Sequence, residues 1–191
     1  SRRPGIIFCS SVAGVLTSIG GMIEAGASLA PIILITPDKL YSNECFDSVQ
    51  LLAPVVKWSE NVKEVDKIPG SIRSAFRYST MDQPGVAHLA ISKEAMFGTY
   101  TGKAESLFTE KFSEEYPAFR YCCNSDMLKQ LVRHISEAKK TVIIAGGGVV
   151  HSKASQELQT LAETLNIPVI STLSGQGVMP GDHHLSMGVV A

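Results

Sequence analysis

The segment Pro31-Ile32-Ile33-Leu34-Ile35-Thr36 limits the fold more than any other. It is apolar at successive positions, without alternation, and turn residues bound it. Such a strand is buried on both faces. That is the situation of a strand inside a parallel sheet with helices on each side. Further strands are expected at Ile6–Cys9, Pro54–Trp58, Val86–Ile91, Thr141–Ala145 and Ile167–Ser171.

Helical spacing fills the intervals. Val15, Ile19, Met22 and Ile23 recur every three or four residues, so a helix is expected from Gly14 to Ala25, with Gly26 as its C′ residue. A short helix is expected over Phe46–Leu52. Pro69 suits a first helical turn, where its missing N–H costs nothing, and Ile68, Ile72, Ala75 and Phe76 form that helix's apolar face. Met127, Leu128, Leu131, Val132 and Ile135 mark another helix, followed by basic Lys139-Lys140. Leu158, Leu161, Ala162 and Leu165 mark the last, with Ser152 as N-cap and Asn166 as its end. From Thr172 onward the chain reads as loop.

Strands alternating with helices define an α/β protein with parallel sheets. Residues 93–125 have no clean period, and a loop of that length is unusual inside one domain. The expected organisation is therefore two partial doubly wound, Rossmann-like domains, 1–92 and 126–191, with 93–125 as linker. The first residue is not Met, the chain opens within a strand pattern, and it stops after a glycine-rich loop. Both ends read as cut from something longer.

Composition narrows the partners. Of 191 residues 45% are hydrophobic, and the net charge is −1, which disfavours nucleic acid or an anionic membrane surface as main partner. The longest apolar stretch, Ala27–Thr36, is too short to span a bilayer, which takes about 20 residues. The four cysteines, Cys9, Cys45, Cys122 and Cys123, show no C-x-x-C, so small buried or half-buried thiols in a reducing cytoplasm are expected rather than disulfides or zinc.

Chemistry is expected where strands end. Gly146-Gly147-Gly148 follows a strand and precedes a helix, so its N–H groups can face a phosphate; a tight turn without ligand is the alternative. Ser171-Thr172-Leu173-Ser174-Gly175 ends the next strand, and its hydroxyls can line the same crevice. Asp182-His183-His184 lacks a further ligand at metal spacing. His88 reads as a structural histidine on a strand. Ser10-Ser11 does not form G-x-S-x-G, and no triad can be ordered. No catalytic residue and no metal ligand is assigned within this chain.

The order of the elements adds a resemblance. The stretch from Pro168 through Thr172-Leu173-Ser174-Gly175-Gln176-Gly177 to Pro180-Gly181-Asp182-His183-His184 and Gly188 resembles the central domain of thiamine-diphosphate-dependent enzymes of the acetolactate synthase type. Ala138–Val149 resembles that domain's first strand and glycine turn. Pro54–Lys57, Ile68–Phe76 and Gln83–Val86 resemble the second half of the family's pyrimidine-binding domain. The resemblance implies a portion of a 2-keto acid decarboxylase or carboligase, inactive as this chain alone. Thiamine diphosphate and Mg²⁺ would serve the complete enzyme, a homo-oligomer. The family's activating glutamate would lie before Ser1 and its Mg²⁺–diphosphate motif after Ala191.

By the same resemblance, Gly14 matches the family's G-P-G-x-x-N stretch, and Thr17 stands where Asn is usual. Glu44 falls where a glutamine faces the substrate, a change that disfavours an anion unless a cation compensates. Lys57 matches a family lysine. The synthase branch also binds the ADP part of FAD in its central domain, and Gly147, Gly148, Thr172 and Leu173 are the matching positions; Gln176 replaces the usual lysine. A reading from another class remains beside this one, a non-catalytic nucleotide-binding or assembly module.

Overall fold

The computed structural model describes residues 3–38, 46–102 and 122–190. Two compact units divide the chain, Ser1–Phe119 and Arg120–Ala191.

The first unit runs β1 (Gly5–Phe8), α1 (Val12–Ala27), β2 (Ile32–Pro37), α2 (Ser48–Leu52), β3 (Trp58–Val62), α3 (Ile68–Thr80), β4 (Val86–Ile91) and α4 (Lys93–Phe97). Its strands are all parallel, in the order β1-β2-β4-β3. Why β2 is apolar throughout is now visible. Leu34 packs on one face with Val15, Met22 and Ala25 of α1 and Leu52 of α2. Ile33 packs on the other with Ala75 of α3 and Ala95 of α4. Each fully buried aliphatic side chain of this kind contributes about 1.5–3 kcal/mol. β4, beside β2, is buried at every position. The edge strand β1 leaves Ile6 and Phe8 exposed.

Three expectations change in this unit. Helix α1 passes through Gly26 to Ala27, and Leu29 takes the left-handed position with φ 54°. The reversal is held by Ala30 N–H donating to the Ala25 carbonyl and Leu29 N–H to that of Gly26. The strand expected at Pro54–Trp58 begins only at Trp58. Val55 and Val56 donate instead to the Leu52 carbonyl, continuing the turn of α2 while their side chains still join the core. Residues 93–97 form α4, capped by Ser92, whose hydroxyl accepts from Ala95 N–H at 3.2 Å. The rest of the irregular segment, 103–121, lies outside the described residues.

Lys57 sits at the amino end of the sheet, away from the carboxyl ends where ligands gather. Its Nζ donates to the carbonyls of Met81 and, at 2.9 Å, of Gln83, closing the end of α3. Burial pushes its pKa down, and Asp82 partly opposes this. Trp58 stacks on Tyr78 with ring centroids 4.9 Å apart, fastening the same corner.

The second unit runs α5 (Ser125–Glu137), β5 (Ile143–Ala145), α6 (Gly147–His151), α7 (Ser155–Leu165), β6 (Val169–Thr172) and β7 (Ser186–Val190). Its strands are parallel in the order β5-β6-β7. Ala145, Ala162, Val169, Val178, Met179 and Leu185 form its core. Asn166 ends α7 in the left-handed conformation, as expected.

Two expectations change here. Ser152 closes α6 instead of opening α7: its N–H donates to the Gly148 carbonyl, and α7 starts at Ser155 after Lys153 reverses the chain with φ 55°. The region after Thr172 is not all loop. A 3-10 turn spans Leu173–Gly175, and β7 follows. Gly188 hid that strand, because it takes φ 85° at an irregularity in the β6–β7 register and breaks the apolar pattern. No helix among the described residues is long and apolar enough to cross a membrane.

Candidate functional site

In a parallel sheet the loops that can bind ligands collect at the carboxyl ends of the strands. The first unit has a cavity of about 520 Å³ there. β1 supplies Phe8, Cys9 and Ser10, and β2 supplies Ile35, Thr36 and Pro37. Ile91 ends β4, and α4 adds Lys93, Met96 and Phe97. The walls are apolar, and the polar groups are few: a thiol, two hydroxyls and one ammonium.

Thr36 is fixed from behind. His88 is fully buried, with Nε2 2.9 Å from Thr36 Oγ1 and Nδ1 2.7 Å from Ser59 Oγ. Thr36 donates onward to Ser48 Oγ at 3.4 Å. Both ring nitrogens thus have a hydroxyl partner, one from β2 and one from β3. Burial holds the His88 pKa down to about 4, with Asp47 opposing weakly, so the ring is neutral near pH 7. His88 is thus the structural histidine expected, tying β2, α2, β3 and β4 together.

Gly14 lies in the first turn of α1. Its N–H donates to Ser11 Oγ at 3.1 Å, and a Cβ there would sit 3.6 Å from that of Cys9. Thr17 is exposed, and its hydroxyl donates into the helix, to the carbonyls of Ala13 and Gly14. Neither residue lines the cavity; Cys9 and Ser10, just before them, do. Glu44 lies outside the described residues. Sequence reasoning missed Cys9, Ser10, Lys93, Met96 and Phe97. The available signal was position: each follows the end of a parallel strand.

In the second unit the two expected turns meet. A Cβ on Gly146 would lie 3.7 Å from Thr172 Oγ1, and one on Gly147 would lie 3.1 Å from Ser174. A Cβ on Gly175 would overlap the Ala145 carbonyl. Gly175 is therefore required by the approach of one backbone to another, and Gly147 is tight, whereas Gly146 leaves ordinary contact distance. Gly148 is different, since a Cβ there would meet nothing within 4 Å. Thr172 Oγ1 accepts from Gly175 N–H at 3.2 Å, and Leu173 projects outward with 71% exposure.

The adjacent histidines form a latch. His183 Nδ1 accepts from Leu185 N–H, and Nε2 donates to Glu163 Oε1 at 3.0 Å, joining this loop to α7. Hydrogen bonds from Gln159 and His183 lower the Glu163 pKa. Among the described residues, no group of three or more His, Cys, Asp or Glu could hold a metal ion.

Two units with parallel sheets define an α/β protein. Comparison with known proteins takes this one step further. Residues 128–191 match the family model of the thiamine pyrophosphate enzyme central domain. The whole chain is 32% identical to 33% of the probable acetolactate synthase large subunit of Methanocaldococcus jannaschii. It is 30% identical to glyoxylate carboligase of Escherichia coli O157:H7, over 90% of this chain and 29% of that one. With the acetolactate synthase large subunit of Lactococcus lactis it shares 26% identity, over 99% of this chain and 33% of the relative. The chain is a relative of the thiamine-diphosphate-dependent enzymes, of acetolactate synthase type. It spans about a third of the length of the curated relatives it matches.

Proposed function

We propose that this chain is a portion of a thiamine-diphosphate-dependent 2-keto acid decarboxylase or carboligase, a transferase or lyase of the cytoplasm working as a homo-oligomer on small molecules, not on nucleic acid or membranes. The observation that carries the reading is the apolar cavity at the carboxyl ends of β1, β2 and β4, one strand-end from the Gly14 turn, in a chain similar to such enzymes throughout. Thiamine diphosphate, bound with Mg²⁺, would supply a nucleophilic carbon and, in its cationic ring, a sink for the electrons released as CO₂ leaves. The residues of this chain bind and orient. The Gly14 turn presents backbone to the cofactor, the resemblance assigns Thr17 and Glu44 to the same site, and the cavity holds the substrate away from water. In this reading the chain alone is inactive, because it spans about a third of the length of the relatives it matches.

In the second unit the crevice of Gly147, Gly148, Thr172 and Leu173 faces the ADP part of FAD. The open space over Gly148 supports this. The test is calorimetric titration of the chain with FAD and with ADP, using a Gly148→Val variant. The expected result is saturable binding that is lost in the variant without a change in melting temperature. Unchanged binding in the variant refutes the assignment.

A second reading, a nucleotide-binding or assembly module, is favoured by α5, none of whose residues is buried. Mass analysis of the native protein separates the two. A subunit near three times this mass supports the enzyme, and a stable species of this chain's own mass supports the module.

A further inference from the structure

We infer that the cavity of the first unit selects 2-keto acids with a large apolar side chain, anchored through their carboxylate by Lys93. The inference rests on the proposed function and goes beyond it in naming which acids fit. Size comes first. At about 520 Å³ the cavity falls among pockets that hold drug-sized ligands, about 300–1,000 Å³. A three-carbon acid would leave most of it to water.

Wall chemistry comes second. Ile35, Ile91, Met96 and Phe97 face the space, and Met96 and Phe97 are exposed at 50% and 78%. Such walls favour a ligand that covers them, and each buried methylene improves affinity about fourfold. Charge comes third. Among the described residues Lys93 is the one charged residue lining the cavity, and no carboxylate does so. It has no ion pair among the described residues, and its neighbour Glu94 is drawn to the Ser92 hydroxyl and the helix start. An ammonium beside an apolar hollow fits a monoanion with an apolar body. Ser10, at the rim, offers a hydroxyl hydrogen to the keto oxygen.

The experiment is a titration of the full chain, carrying ¹³C-methyl methionine, with phenylpyruvate, pyruvate and phenylpropanoate. Phenylpyruvate is expected to bind roughly tenfold or more tighter than pyruvate and to shift the Met96 resonance while leaving buried Met22 unmoved. Lys93→Gln is expected to weaken it about tenfold. Phe97→Ala is expected to weaken phenylpyruvate and leave pyruvate unchanged. Both residues are exposed, so both variants keep the fold.

Pyruvate binding as tightly as phenylpyruvate, an unmoved Met96, or an inert Lys93→Gln change would each overturn the inference. Phenylpropanoate binding equally well would overturn the keto-acid assignment, because the site would then read only carboxylate and ring. A separate assay keeps the two claims apart. Cofactor-dependent CO₂ release from pyruvate by the native protein carrying this sequence, with no binding of phenylpyruvate, would sink the inference and leave the proposed function standing.

Discussion

The two units share one sequence rhythm and bury it differently. In α1 the apolar stripe reaches the core, and Val15 and Met22 are almost wholly inaccessible. In α5 an equally regular stripe stays open, with Met127, Leu128, Leu131 and Val132 between 49% and 64% exposed. Periodicity therefore marks which face of a helix is apolar, not whether anything within the unit covers it. The strand ends differ in the same way. The first unit ends in a hollow lined by side chains, and in the second the glycine turn packs closely on the segment after β6.

Paired truncations give the largest expected contrast. Met22→Ala should destabilise the first unit by about 2–5 kcal/mol, because it empties a packed site. Leu131→Ala in α5 should change stability by no more than about 0.5 kcal/mol. Chemical denaturation, followed by Trp58 for the first unit and by hydrogen exchange for the second, reads both. A large loss from Leu131→Ala would mean that α5 is covered after all, and the contrast between the units would fail.

Acid should separate the units next. His88 has its pKa lowered from 6.5 to about 4 in the fold, so the folded state resists its protonation. Its contribution is complete above pH 6.5 and is lost as pH falls from 6.5 toward 4, by about 3 kcal/mol in all. The first unit should weaken over this window, and a His88→Gln variant should lose that pH dependence. An unchanged pH profile in the variant would remove His88 as the cause.

The tightest approach of one backbone to another lies in the second unit. Gly175→Ala should cost about 1–3 kcal/mol there, because a Cβ would run into the Ala145 carbonyl, whereas Gly148→Ala should be tolerated. Melting of the two variants checks this pair, and equal losses would contradict it. The smallest effect is a gain. Leu29→Gly should stabilise the first unit by about 0.5–1 kcal/mol, since Leu29 holds a positive φ that glycine adopts without strain.

How much was legible follows from how each feature is written in the chain. Continuous apolar runs such as Ile32–Thr36 and Val86–Ile91 announced buried parallel strands, and both are there. Val55 and Val56 misled, because they are apolar for packing while their N–H groups close the α2 turn. Gly188 concealed β7 by interrupting it. The glycine turn and the Ser171–Gly175 segment were readable as neighbours because successive parallel strands end side by side. The cavity was not, since its residues come from three separated stretches, 8–10, 35–37 and 91–97, and within each one Phe8, Ile35 or Ile91 looks like ordinary core. Only the β1-β2-β4 order, invisible in sequence, brings those stretches together.

The most direct test of the account is CO₂ release from 2-keto acids by the native protein that carries this sequence, measured with and without thiamine diphosphate and Mg²⁺. The account predicts release that appears with the cofactor and disappears when it is withdrawn. No release in the presence of both, or the same rate in their absence, would contradict it.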